Sequence, residues 1–179
     1  MRLVDPILME LEQESKSTRR VLERVPENKL TWRPHPRSYS LGQLALHVAT
    51  IPEAIAHLAS QDPFEITNFS QSEARSRKEI LEGLESSLKA AKQILNGFDD
   101  ASMMATWHAT RDGVELMALP RMAMLRTIML NHLYHHRGQL LVYLRLNEVP
   151  LPSVYGPTAD ENPFAPAAAN PAMAAKQDY

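Results

Sequence analysis

At 179 residues with a formal net charge of -2, the chain fits one well-buried domain and offers no basic surface for nucleic acid. It has no cysteine, which removes disulfides, thiolate metal ligands and a cysteine nucleophile from consideration. A transition-metal site in this chain would have to draw on His, Asp, Glu or water.

The N-terminus, MRLVDPILMELEQ, becomes charged too early for a signal peptide, and no apolar run approaches the ~20 residues of a membrane span. The expectation is a soluble cytoplasmic protein that uses neither membrane nor nucleic acid. The first helix is predicted over Pro6 to Arg24, with Asp5 as its cap and Pro26 just past its end. Ile7, Leu11, Thr18, Val21, Leu22 and Val25 form its mostly apolar stripe.

Residues 26 to 39 contain three prolines and are predicted to be irregular. Ser40 and Gln43 then make a capping box, with Tyr39 and Leu44 placed for a hydrophobic staple. The second helix runs to about Ser60, with Leu44, His47, Val48, Ile51 and Ile55 on one face and a kink expected at Pro52. A second box, Ser70 with Glu73, is expected to open a third helix that ends near Asn96, where Gly97 supplies the stop. Residues 98 to 119 read as irregular, apart from a small hairpin turning at Asp112-Gly113. Pro120 begins the longest helix, which continues to about Leu146. The fold expected is all-α: an up-and-down four-helix bundle with a long crossover and a small hairpin before the last helix. One domain is assigned to residues 1–162, and an Ala/Pro-rich tail to 163–179.

The stretch NHLYHHRGQL puts three histidines into five positions of the last helix. His132 and His136 are one turn apart on one face, among Leu125, Met129 and Tyr143. Burying two touching imidazoles without partners would cost ~1–3 kcal/mol for each unsatisfied group. A shared cation removes that cost, because neutral imidazole is the ligating form. His47 points with the apolar face of the second helix and supplies a third vertex, although a lone core histidine bonded to a carbonyl is the bland reading. Three protein ligands with an open position suit a reactive site better than a structural one. His135 reads as rim or surface. Gln139 could orient a ligand or bind substrate, with Tyr143 and Arg137 as further substrate candidates. His57 and His35 read as surface and loop residues, and His108 or Glu115 could close the site as a fourth ligand. Gly138 within a helix suggests close backbone packing against a neighbouring helix or a second subunit. No H-E-x-x-H motif, Glu-x-x-His pair, phosphate loop or G-x-S-x-G elbow is present.

LTWRPHPRSYSLGQLALHVA, NHLYHHRGQLLVYLR and VPLPSVYGPTADE resemble the first metal segment, second metal segment and closing turn of DinB-like proteins. The similarity spans roughly residues 5 to 162. It implies a helical bundle, often a homodimer, with a divalent metal held by three histidines; the matching positions are His47, His132 and His136. Zinc or nickel is the common metal, with iron also compatible. Some relatives are thiol S-transferases that use bacillithiol or mycothiol, others isomerise with a thiol cofactor, and many have no assigned reaction. The reading favoured is a metal-dependent S-transferase acting on a small molecule with a low-molecular-weight thiol as cosubstrate. A metal-dependent hydrolase and a non-enzymatic, stress-linked metal-binding dimer are the alternatives.

Overall fold

Arg2 and Pro6 set the start of α1 (Asp5–Leu22). Val4 occupies the cap position without a side-chain hydrogen bond. Asp5, expected as the cap, lies inside the first turn. There its carboxylate faces the positive helix end and accepts from the Arg2 backbone N–H at 2.7 Å and guanidinium at 2.9 Å. The expected stripe is buried: Ile7, Leu11, Thr18, Val21 and Leu22 all face the core. This computed structural model describes residues 1–165, so most of the tail expected at 163–179 lies outside the described residues.

After a short 3-10 turn (Glu27–Lys29), α2 (Leu41–Ser60) begins with the reciprocal box read from the sequence. The Gln43 N–H donates to Ser40 Oγ at 3.1 Å, and the Ser40 N–H donates to Gln43 Oε1 at 3.0 Å. The first turn packs tightly. A Cβ on Gly42 would stand 3.1 Å from the Leu30 carbonyl and 3.0 Å from Glu73 Oε1, so only glycine fits there without a shift. The helix continues through the buried Pro52.

The second expected box does not start a helix. α3 (Arg77–Asn96) begins six residues later, capped by Ser76, whose hydroxyl accepts from the Glu79 N–H at 3.0 Å. Glu73 instead accepts from the Ser40 hydroxyl and so braces the start of α2. Gly97 ends α3 as expected.

The all-α expectation needs amendment, because a three-stranded sheet sits beside the helices. β1 (Phe64–Glu65) pairs parallel with β2 (Thr106–Arg111), and β2 pairs antiparallel with β3 (Val114–Pro120). The hairpin turns where expected: Asp112 (φ 52°) and Gly113 (φ 76°) both take the left-handed conformation that a two-residue primed turn requires. A short α4 (Asp100–Met104), capped by Asp99, precedes it and was not anticipated. Trp107 ties the sheet to the end of α2, its indole N–H donating to the carbonyls of Gln61 at 2.8 Å and Leu58 at 3.1 Å.

The last long helix is not uniform. α5 (Arg121–Met124) runs into a π-helical segment (Leu125–Leu130) and then α6 (Asn131–Leu146). The wider π turn resets which residues face inward just before His132. The helices meet around one core, with α2 against α3 and α6, and α1 against α3 and α6.

Candidate metal centre

His47 lies in the second turn of α2. His132 and His136 lie in the first turns of α6, where the two helices pack together. Each imidazole is half-buried, and one nitrogen from each lies within 4.8 Å of the other two. His47 Nε2 and His132 Nε2 are 3.1 Å apart. The ring centroids are separated by 4.5 Å (His132–His136), 4.6 Å (His47–His136) and 5.2 Å (His47–His132).

Two glutamines orient the rings. Gln71 Oε1 lies 3.1 Å from His47 Nδ1, and Gln139 Oε1 lies 2.8 Å from His136 Nδ1. The Gln71 amide N–H is directed to the Ser72 carbonyl at 3.4 Å, which leaves its oxygen to accept from the ring. Each Nδ1 therefore carries the proton, which leaves each Nε2 with the lone pair that can ligate. Gln71 is itself held by the start of α2, where the Gln43 side chain donates to the Gln71 carbonyl at 3.0 Å. One capping residue thus links the helix start to the orientation of His47.

Burial, reinforced by the neighbouring His136 and His132, pushes His47 down to about 4, with Gln71 partly opposing it. Burial followed by His136 and His135 pushes His132 down to about 4. His136 is lowered by burial, against the raising effect of Gln139. Near pH 7 the donor set is neutral, the form that binds a cation. The residues fit a transition-metal ion: metal–nitrogen bonds of about 2.0–2.1 Å in a tetrahedral arrangement place ligand atoms ~3.3 Å apart, close to the His47–His132 separation.

The remaining candidates are placed differently. His135 is exposed, with its ring 4.8 Å from that of His136. Tyr143 is half-buried and packs edge-on against Trp32 at 5.6 Å. Tyr39, read in the sequence only as a staple residue, and Phe69, not singled out there, flank His47 at 6.0 Å and 5.8 Å. His108 and Glu115, considered as a fourth ligand, lie on the hairpin. There His108 Nδ1 pairs with Asp62 at 2.9 Å and Nε2 lies 3.9 Å from Glu115. His57 is exposed near Glu53, and His35 accepts from the Arg37 N–H in its loop. Among the described residues, nothing lies within 4 Å of where a Cβ on Gly138 would stand, so no described helix packs against it.

Arg137 requires correction as a substrate candidate. It is 1% exposed and turned toward α1, where it donates to Glu14 Oε2 at 2.6 Å, Thr18 Oγ1 at 3.0 Å and Tyr155 Oη at 2.5 Å. A helical residue adjacent to His136 is rotated ~100° from it, and here that rotation carries Arg137 to a buried ion pair.

Gln71 is the site residue least visible in the sequence. It lies in the irregular stretch between α2 and α3, where no periodicity indicates what a side chain faces.

A family model described as the DinB superfamily matches residues 10–140. Similar solved structures include a DinB-like protein from Bacillus cereus ATCC 10987, 24% identical with a TM-score of 0.63, covering 83% of this chain and 95% of that chain. A DinB-like protein from Bacillus subtilis is 17% identical with a TM-score of 0.63, covering 83% and 96%. A protein assigned to the DinB family from Exiguobacterium sibiricum 255-15 is 17% identical with a TM-score of 0.58, covering 89% and 97%. At these identities the likeness establishes a shared fold. No curated protein gives a significant match.

Proposed function

The chain belongs to the DinB superfamily, and on that footing we propose that it is a divalent-metal-dependent enzyme of the thiol S-transferase type. His47, His132 and His136 are the metal ligands in this reading, with zinc or nickel as the ion and iron compatible with the same donors. The observation that carries it is the convergence of three neutral imidazoles from two helices within 4.8 Å. A cation held there supplies positive charge that lowers the pKa of a thiol or water placed beside it.

The protein's own groups do the rest. Gln71 and Gln139 hold two rings in the ligating tautomer. Tyr39 and Phe69 set aromatic rings beside His47. Among the described residues, no carboxylate joins the three-histidine group. Activating water benefits from such a base, whereas a thiol of lowered pKa needs none, and this favours a thiol as nucleophile over hydrolysis. The histidine group also leaves room for an exogenous ligand, which favours chemistry over a closed structural site.

Two finer points belong to the same reading. The four long helices form an up-and-down bundle with a long crossover, and the sheet joins β1, from the connection between α2 and α3, to β2 and β3, which follow α3. The working unit is a homodimer, for which the exposed strip Gly138, Val142 and Leu146 of α6 offers a small-residue and apolar contact face. Among the described residues, no helix is long and apolar enough to cross a membrane.

The test is turnover by protein stripped of metal and then reloaded with zinc or nickel, using an alkyl halide with and without a low-molecular-weight thiol. Conjugation that requires both metal and thiol is expected. Conjugation that persists after complete metal removal contradicts the proposal, and metal-dependent turnover without thiol points to hydrolysis instead.

A further inference from the structure

A cavity of about 400 Å³ opens on His47 and His132 and continues away from them between α2, the π-helical segment and the sheet. On α2 its lining recurs at His47, Ile51, Ile55 and Leu58, so it follows that helix for about 16 Å. The facing wall runs through His132, Ile128 and Met124 in the opposite direction. Trp107 stands at the far end, where its indole N–H is engaged by the carbonyls of Leu58 and Gln61. Ala109 and Met117 of the sheet form the roof.

Among the described residues, no Asp, Glu, Lys or Arg lines this space. Its titratable groups are the two histidines at the mouth. The hydroxyl of Thr50, one of its few polar side chains, already donates to the Leu46 carbonyl at 2.9 Å. An ionised group placed along the cavity would lose its hydration and find no counter-charge, a large penalty. An uncharged apolar chain would gain contact along the whole wall.

We propose that this cavity selects the substrate: it holds the body of an elongated, uncharged, apolar molecule, laid along α2 with its reactive end at His47 and His132. The assignment of the reactive end rests on the metal-dependent reading above; the apolar selectivity stands on the cavity alone. The substrate class is therefore a neutral alkyl or arylalkyl compound with a terminal electrophilic carbon, rather than a phosphate, carboxylate or sugar.

A homologous series tests this. The probes are n-alkanethiols from ethanethiol to octanethiol, added to cobalt-loaded protein and followed by the change in the cobalt absorption bands. Affinity is expected to rise about 4-fold for each added methylene. Ala54→Phe, which fills the cavity from α2, and Met117→Asp, which puts a charge in its roof, should each flatten the series. A flat series on cobalt-loaded wild type overturns the cavity assignment while leaving the metal site standing. If no cobalt site forms, the metal reading fails, and the cavity is tested separately with n-alkanols on metal-free Trp32→Phe protein, followed by Trp107 fluorescence. Saturable binding that strengthens with chain length supports the cavity. Non-saturable or length-independent binding overturns it, as does tighter binding of carboxylate or ammonium chains of equal length.

Discussion

His47 Nε2 and His132 Nε2 face each other at 3.1 Å across two helices, from positions 85 residues apart in the chain. Neither atom would approach the other so closely as two lone pairs; a shared proton or a shared cation must lie between them. A single His47→Ala substitution removes one ligand and the only one supplied by α2. It is expected to lower metal content from about one ion per chain to a small fraction, with conjugation lost in parallel. Elemental analysis of purified wild-type and variant protein checks this, and an unchanged metal content in the variant would contradict it.

The two glutamines act through the rings they hold. Gln71→Leu and Gln139→Leu leave all three ligands in place but remove the acceptors at Nδ1 of His47 and His136. Losses of about 10–100-fold in metal affinity are typical when such partners are removed. Competition titration with a chromophoric chelator reads this directly. The Gln71 variant is expected to show the larger loss, because Gln71 is half-buried and fixed by Gln43 whereas Gln139 is exposed. Equal affinities in wild type and both variants would mean that the rings are oriented by packing alone.

Much of this site was legible in the sequence. His47, His132 and His136 fell on apolar helical faces, and helical spacing alone turns such residues inward. The start of α2 was legible because a capping box is a local pattern satisfied by neighbouring atoms. The same pattern misled at Ser70 and Glu73. Ser76 and Glu79 satisfy it equally well, and Glu73 is drawn instead to Ser40, a partner 33 residues away. Arg137 was misread for a related reason: the carboxylate that holds it, on Glu14, lies 123 residues earlier. The π-helical turn uses the same residue types as an α-helix, and β1 is only two residues long, so neither leaves a periodic trace.

Metal-free protein should lose stability in mildly acidic solution. In the unfolded chain each imidazole titrates at its ordinary 6.5, while burial holds His47 and His132 at about 4 in the folded chain. Between those values the unfolded state binds more protons, so acid favours unfolding. Stability is fully present above about pH 6.5 and falls as the pH drops toward 4. The lowered carboxylates Asp62 and Asp160 have ordinary values of 3.8, so their contribution is lost only below this window. Melting temperature against pH checks this on stripped protein. A flat profile from pH 7 to about 4.5 would show that the imidazoles are already charged or solvated in the fold.

Arg137 is expected to matter for stability and not for the metal. Arg137→Leu leaves the Glu14 carboxylate buried, retaining, among the described residues, the Tyr155 hydroxyl at 2.8 Å as its side-chain donor. Removing one partner of a buried pair costs about 3–5 kcal/mol. Denaturant unfolding should show that loss, while cobalt binding by the fraction that remains folded stays as in wild type. A variant of full stability with impaired thiol conjugation would return Arg137 to the substrate site.

The central claim, that the three imidazoles share one cation, is tested most directly by titrating stripped protein with cobalt(II) and recording the absorption spectrum. The account predicts saturation at one ion per chain, with the intense visible bands of a four-coordinate site. Those bands should disappear in His47→Ala and in His132→Ala and shift when a thiol is added. Absence of saturable binding, or a spectrum identical in wild type and both variants, would contradict it.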